Sequence, residues 1–154
     1  MGTYATQTAV SASKSRDEIE RTLQRYGATA FAYGWAGDAA MIQFEVHGRR
    51  IRMVLPFPDK EDRVFTRTPT GRPRQAAAAR DAWEQACRQA WRALVLVVKA
   101  KLEAVESGIS TFDAEFLANI VLPNGSTVGE WAGPQVERAY ASGLMPAMLP
   151  ELER

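Results

Sequence analysis

Three runs of alternating apolar and polar positions lie back to back in the first half of the chain. They are Thr29–Trp35, Ala40–Val46 and Arg49–Leu55, and they predict an antiparallel meander. His47-Gly48 between the second and third runs reads as a two-residue hairpin loop, with glycine available for positive φ. That loop fixes the register. Val46 faces Arg49, Glu45 faces Arg50, Phe44 faces Ile51, Gln43 faces Arg52 and Ile42 faces Met53. Apolar and polar pairs then fall on opposite faces, and a slip of one residue scrambles them. A Gly37-Asp38 turn sets Tyr33 opposite Ile42 and Phe31 opposite Phe44. Phe31, Tyr33 and Trp35 are therefore expected on the apolar face, packed into the core. Pro56-Phe57-Pro58 ends the third strand, because proline cannot donate to the ladder.

Helical patterns flank the meander. Ser15-Arg16-Asp17-Glu18 has the spacing of a capping box, and Ile19, Leu23 and Tyr26 follow on one helical face up to Gly27. This predicts a short N-terminal helix. The weakly alternating, threonine-rich run TYATQTAV before it reads as an added edge strand over 3–10. From Gln75 the pattern turns helical and runs to Ser107, with Gly108 as its stop. Trp83, Cys87, Trp91, Leu94, Val98, Leu102 and Val105 form its apolar stripe. Leu94-Val95-Leu96-Val97-Val98 is apolar all round, so it is expected to be wrapped on more than one side.

The last third is mixed. Thr111 caps a short helix through Ala118. Ile120–Leu122 and Thr127-Val128 form a small hairpin around Asn124-Gly125. Pro134 starts a helix that runs to about Ala141. Leu144, Met145, Met148 and Leu149, broken by Pro146 and Pro150, read as an extended apolar strap. The fold class expected is α+β. A three-stranded antiparallel meander packs on the short helix and the long central helix, with a small mixed C-terminal segment. One domain divides into 1–56 (helix and meander), 57–75 (basic connection), 76–108 (long helix) and 109–154 (acidic mixed segment).

The 154 residues suit one domain, long enough to bury roughly 68–70% of its unfolded surface. A net charge of +1 argues against a basic nucleic-acid binder until it is divided along the chain. Residues 1–48 carry 4 basic and 5 acidic groups, residues 49–101 carry 13 and 5, and residues 102–154 carry 2 and 8. The neutrality is thus an average of a strongly basic middle and an acidic end. One cysteine (Cys87) and one histidine (His47) exclude an intrachain disulfide and a Cys/His zinc site. A serine–histidine–aspartate site would have to use His47, which sits at a hairpin tip. Asp38, Glu45, Asp59, Glu61 and Asp62 are too scattered for a metal site. No enzyme activity, metal or cofactor is therefore expected. No apolar run approaches the roughly 18 residues of a membrane span, and no signal peptide is visible, so a cytoplasmic setting is the expectation.

The basic middle holds the candidate chemistry. The polar sheet face carries Arg50 and Arg52, the connection carries Arg67, Arg72 and Arg74, and the long helix carries Arg92. Arginine dominates lysine here, and its planar fork of donors suits phosphate. Thr66 and Thr68 add hydroxyls that also contact phosphate. The pattern predicts a mobile arginine-rich loop beside an arginine-bearing sheet face, gripping a nucleic-acid backbone. The plainer expectation is a solvated loop whose arginines answer Asp59, Glu61 and Asp62. On the long helix, Glu84–Arg88 and Lys99–Glu103 read as i,i+4 pairs, which leaves Arg92 unpaired.

Several runs carry a resemblance: WEQACRQ at 83–89, WRAL at 91–94, KAKLEAV at 99–105, FTRTP at 65–69 and IVLPNG at 120–125. Together they resemble a family of small uncharacterised proteins encoded by phages, prophages and related mobile elements. The resemblance implies a bacterial or phage cytoplasmic setting and no activity. The order helix–strand–strand–strand–helix is also that of double-stranded-RNA-binding domains and of the core of phage single-strand annealing proteins, an analogy of fold order alone. The leading expectation is a non-enzymatic binder of single-stranded DNA in phage replication or recombination, oligomeric through the long helix and the tail. The alternatives are a phage counter-defence protein that sequesters a phosphorylated nucleotide signal or blocks a host factor, and a structural module of phage assembly.

Overall fold

A computed structural model of the chain describes residues 2–145, with side chains placed from residue 12 onward. The elements run α1 (Gly2–Arg25), β1 (Ala30–Ala36), β2 (Ala39–Val46), β3 (Arg49–Pro56), α2 (Arg63–Thr66), α3 (Ala76–Glu106), α4 (Phe112–Phe116) and α5 (Val128–Ser142). A short 3-10 turn, Leu117–Asn119, follows α4. The three strands form one antiparallel sheet in the order β1-β2-β3. This is the expected α+β fold.

The register follows from the alternation. Phe44 pairs Phe31 on one side and Ile51 on the other, Ile42 pairs Tyr33 and Met53, and Glu45 pairs Arg50. His47 and Gly48 both have positive φ, 52° and 72°, as the mirror-image hairpin turn demands of its two central residues. β2 is the central strand. Its inward residues Ala40, Ile42, Phe44 and Val46 are all buried, together with Ile51 and Met53 of β3.

Both long helices lie on that inner face. Ile19 and Leu23 of α1 meet Trp91, Leu94, Val95, Val98 and Leu102 of α3 over the sheet. The helices run in the same direction. Glu18 meets Arg92 and Lys99, and further along Tyr26 hydrogen-bonds Glu106, which pushes the Tyr26 phenol above its ordinary value. Phe116 of α4 closes the far side of the core and meets Phe44 edge to face at 5.8 Å between ring centres.

Several expectations are corrected. Residues 3–10 belong to α1 and form no edge strand. α1 is a helix of 24 residues, and Ser15–Glu18 lies inside it. Glu18 therefore reaches across to α3 instead of back to a cap. The true capping box is Thr127–Glu130. The Thr127 hydroxyl accepts from the Glu130 N–H at 3.1 Å, and the Glu130 carboxylate accepts from the Thr127 N–H at 2.9 Å. α5 thus starts at Val128, six positions before Pro134, which sits inside the helix. The small hairpin around Asn124-Gly125 is present, tied by the Leu122 N–H to the Ser126 carbonyl at 2.7 Å. It docks on the open edge of β3, where the Val121 N–H donates to the Arg50 carbonyl at 2.8 Å.

Two expectations of burial also change. Phe31 packs against the core, but Tyr33 and Trp35 are 46% and 59% exposed. β1 is an edge strand with no fully buried residue, and a strand paired on one side only has fewer neighbours to cover it. Leu94, Val95 and Val98 are buried as expected, but Leu96 and Val97 face outward, 55% and 42% exposed. Leu144 and Met145 are exposed. The remainder of the expected strap, Met148 and Leu149, lies outside the described residues.

Candidate nucleic-acid interface

The basic connection is a built structure and not an open loop. Asp62 caps α2, its carboxylate accepting from the Val64 N–H at 3.0 Å. That turn of helix delivers Phe65 into a second small core with Trp83 and Cys87. The Trp83 indole N–H donates to the Pro58 carbonyl at 2.7 Å. This small core anchors the start of the connection to α3.

Residues 66–74 then fold back on themselves. Arg67 and Pro73 form an antiparallel bridge. The Arg74 N–H donates to the Thr66 carbonyl and the Thr68 N–H to the Arg72 carbonyl, both at 2.8 Å. Thr68-Pro69-Thr70-Gly71 makes the turn, with Pro69 at its second position and Gly71 at φ 85°, an angle that a side chain would strain. The expected mobile loop is thus a tied miniature hairpin. Its two arms alternate so that Thr66, Thr68, Arg72 and Arg74 share one side.

The arginines of α2 and of this hairpin lack acidic partners. Arg63, Arg67, Arg72 and Arg74 form no ion pair among the described residues. The nearby acids serve the backbone instead: Asp59 accepts from the Glu61 N–H at 2.9 Å, and Asp62 serves the cap. The guanidinium of Arg67 donates to the Gly71 carbonyl at 3.0 Å and braces the turn. The expectation that Asp59, Glu61 and Asp62 answer these arginines therefore fails.

Two adjacent depressions share Arg74. One, of about 470 Å³, is lined by Arg63, Arg67, Thr68, Pro69 and Gly71. The other, of about 370 Å³, is lined by Lys60, Glu61, Thr66, Arg80, Trp83 and the first turn of α3, so one carboxylate stands among its cations. Gln75 gives that turn no side-chain cap, and its first turn holds no acid. The free N–H groups and the positive end of the helix dipole add to the basic surroundings.

The other candidate arginines are placed elsewhere and are paired. Arg50 donates to Glu45 through Nε and a terminal nitrogen, at 3.2 and 3.1 Å. Arg52 donates to the Gly125 carbonyl at 2.8 Å and to Glu130 at 3.3 Å. Both therefore hold the sheet and the C-terminal hairpin. Arg92, expected to be unpaired, donates to Glu18 at 2.6 Å, and Lys99 donates to the other oxygen of the same carboxylate. The Lys99 bond, with Arg92 beside it, holds the Glu18 carboxyl below its usual value. Lys99 thus binds Glu18 and not Glu103. The Glu84–Arg88 pair is not among the ion pairs of the described residues, and Glu84 is buried with one carboxylate oxygen unpartnered.

Cys87 is fully buried and burial pushes its thiol up to about 11, which keeps it protonated and unreactive near neutral pH. His47 stands at the end of the sheet opposite the hairpin, against Phe112. Among the described residues no cluster of three or more His, Cys, Asp or Glu is placed to hold a metal. Among them, too, no helix is long and apolar enough to cross a membrane. No protein-family model, curated protein or solved structure matches the chain.

Proposed function

We propose that the protein binds nucleic acid without acting on it, single-stranded DNA being the favoured strand, and holds phosphates with the 66–74 hairpin. The observation that carries this reading is the set of four arginines, Arg63 on α2 and Arg67, Arg72 and Arg74 on the hairpin that follows, none of them in an ion pair among the described residues. Guanidinium forks on a fixed hairpin are pre-organised for phosphate oxygens. The threonine hydroxyls serve the scaffold: Thr66 donates to the Asp62 carbonyl at 3.2 Å and Thr68 accepts from the Arg72 N–H at 3.1 Å, which leaves the contact to the guanidinium groups. The lone cysteine and the lone histidine stand away from the hairpin: Cys87 is buried and His47 is at the far end of the sheet. The role proposed for such binding is phage replication or recombination, in the bacterial or phage setting that the sequence resemblance implies.

The test is anisotropy of a labelled single strand against the wild type and an Arg72→Ala, Arg74→Ala double variant. The variant is expected to bind at least about tenfold more weakly, since hydrogen bonds to charged groups contribute about 1.5–3 kcal/mol each. Duplex competitor and mononucleotides complete the experiment. Unchanged affinity in the double variant overturns the reading. A large thermal shift with a cyclic nucleotide, and none with any strand, favours capture of a nucleotide signal instead.

The reading includes self-association through α3. Leu96 and Val97 stand exposed between Ala93 and Ala100 on its outer face, the i, i+3, i+4, i+7 spacing of a helix–helix seam. Leu96→Glu is expected to convert the oligomer to a monomer in sedimentation velocity. A wild type that sediments as a monomer at high concentration sinks this part of the reading.

A further inference from the structure

Resting on the nucleic-acid reading above, we infer that Tyr33 and Trp35 form a stacking site for unpaired bases of the strand whose phosphates the hairpin holds. Their ring planes lie within 16° of each other, with centres 6.5 Å apart. Both rings are substantially exposed. They sit at i and i+2 of β1 and so point to the same face of the strand. The Arg16 guanidinium lies 4.0 Å from the Tyr33 ring centre and fixes that ring from the α1 side.

Isolated exposed aromatics are common and require no explanation. Here two are aligned on one edge, beside a cation, and at the end of the sheet that leads to the basic hairpin. The Asp38 carbonyl, in the turn after Trp35, accepts from the Phe57 N–H at 2.7 Å. Phe57 leads to Pro58, whose carbonyl holds Trp83 beneath the hairpin. The edge strand and β3 are two strand spacings, about 10 Å, apart. A single strand can therefore lie with bases on the rings and its backbone running toward Arg74. A duplex keeps its bases stacked on each other and gains nothing from the rings. Every base has a π-face, so the site is tolerant of sequence.

The test compares two strands of about 12 nucleotides with equal phosphate number, oligothymidylate and an abasic deoxyribose-phosphate polymer. Wild-type protein is expected to bind the thymidylate strand about tenfold or more tightly. Trp35→Ala is expected to bring it to the level of the abasic strand, while Trp35→Phe retains part of the preference. Equal affinity of the wild type for both strands, with the dependence on Arg74 intact, overturns the stacking site and leaves the hairpin reading standing. Failure of both strands to bind overturns both readings.

Discussion

Phe44→Ala is expected to destabilise the fold by about 3–5 kcal/mol, read as a lower urea midpoint at an unchanged slope. Phe44 is buried in the central strand, 1% exposed. Its ring meets Phe116 of α4 edge to face, and its backbone pairs with both neighbouring strands. Truncation opens a cavity bounded by β1, β3 and α4, and a sheet tied on both sides cannot close over it. A typical domain has about 5–15 kcal/mol of total stability, so this single change takes a large share. Trp35→Ala removes a larger side chain but an exposed one, and is expected to cost far less. A cost below about 1 kcal/mol for Phe44→Ala would place the core elsewhere.

The second large effect is on the ionic-strength dependence of binding. If Arg63, Arg67, Arg72 and Arg74 each hold one phosphate of a single strand, log K falls with log salt at a slope of about −2.8. Affinity then drops about 50-fold between roughly 50 and 200 mM salt. The Arg72→Ala, Arg74→Ala variant should halve that slope, to about −1.4, and so lose only about sevenfold over the same range. Anisotropy titrations at four salt concentrations read both slopes. A flat dependence in the wild type falsifies phosphate contact, and an unaltered slope in the variant moves the contact off the hairpin.

The meander was legible because its period leaves one solution. With His47-Gly48 as the turn, every inner pair from Val46–Arg49 to Ile42–Met53 is fixed by arithmetic. Periodicity states which face a residue points to, but not how far the cover over that face extends. Tyr33 and Trp35 share the alternation of Phe31 and still stand substantially exposed. Motif spacing has a similar limit. Ser15–Glu18 and Thr127–Glu130 share one pattern, and only the second begins a helix, because the first lies within helical sequence that continues upstream.

The candidate site was legible in composition and not in geometry. Thr68-Pro69-Thr70-Gly71 carries a turn signal, proline second and glycine fourth, which could have shown the 66–74 hairpin. The partners of Arg92 and Lys99 could not have been found this way, because Glu18 is 74 and 81 positions away. Local i,i+4 reasoning finds only neighbours on the same helix. Arg52 is similar, since its carboxylate partner Glu130 lies 78 positions further on.

The clasp of Glu18 on α3 has a consequence for how the chain is made. The meander closes through two-residue turns as soon as its strands leave the ribosome. α1 leaves first, yet its partner Lys99 follows 81 residues after Glu18. At about 5–20 residues per second, the apolar face with Ile19 and Leu23 waits roughly 4–16 seconds for its cover. The nascent chain is therefore vulnerable over that interval, and a bound chaperone or a fast translation rate between the meander and α3 should raise the yield of folded protein.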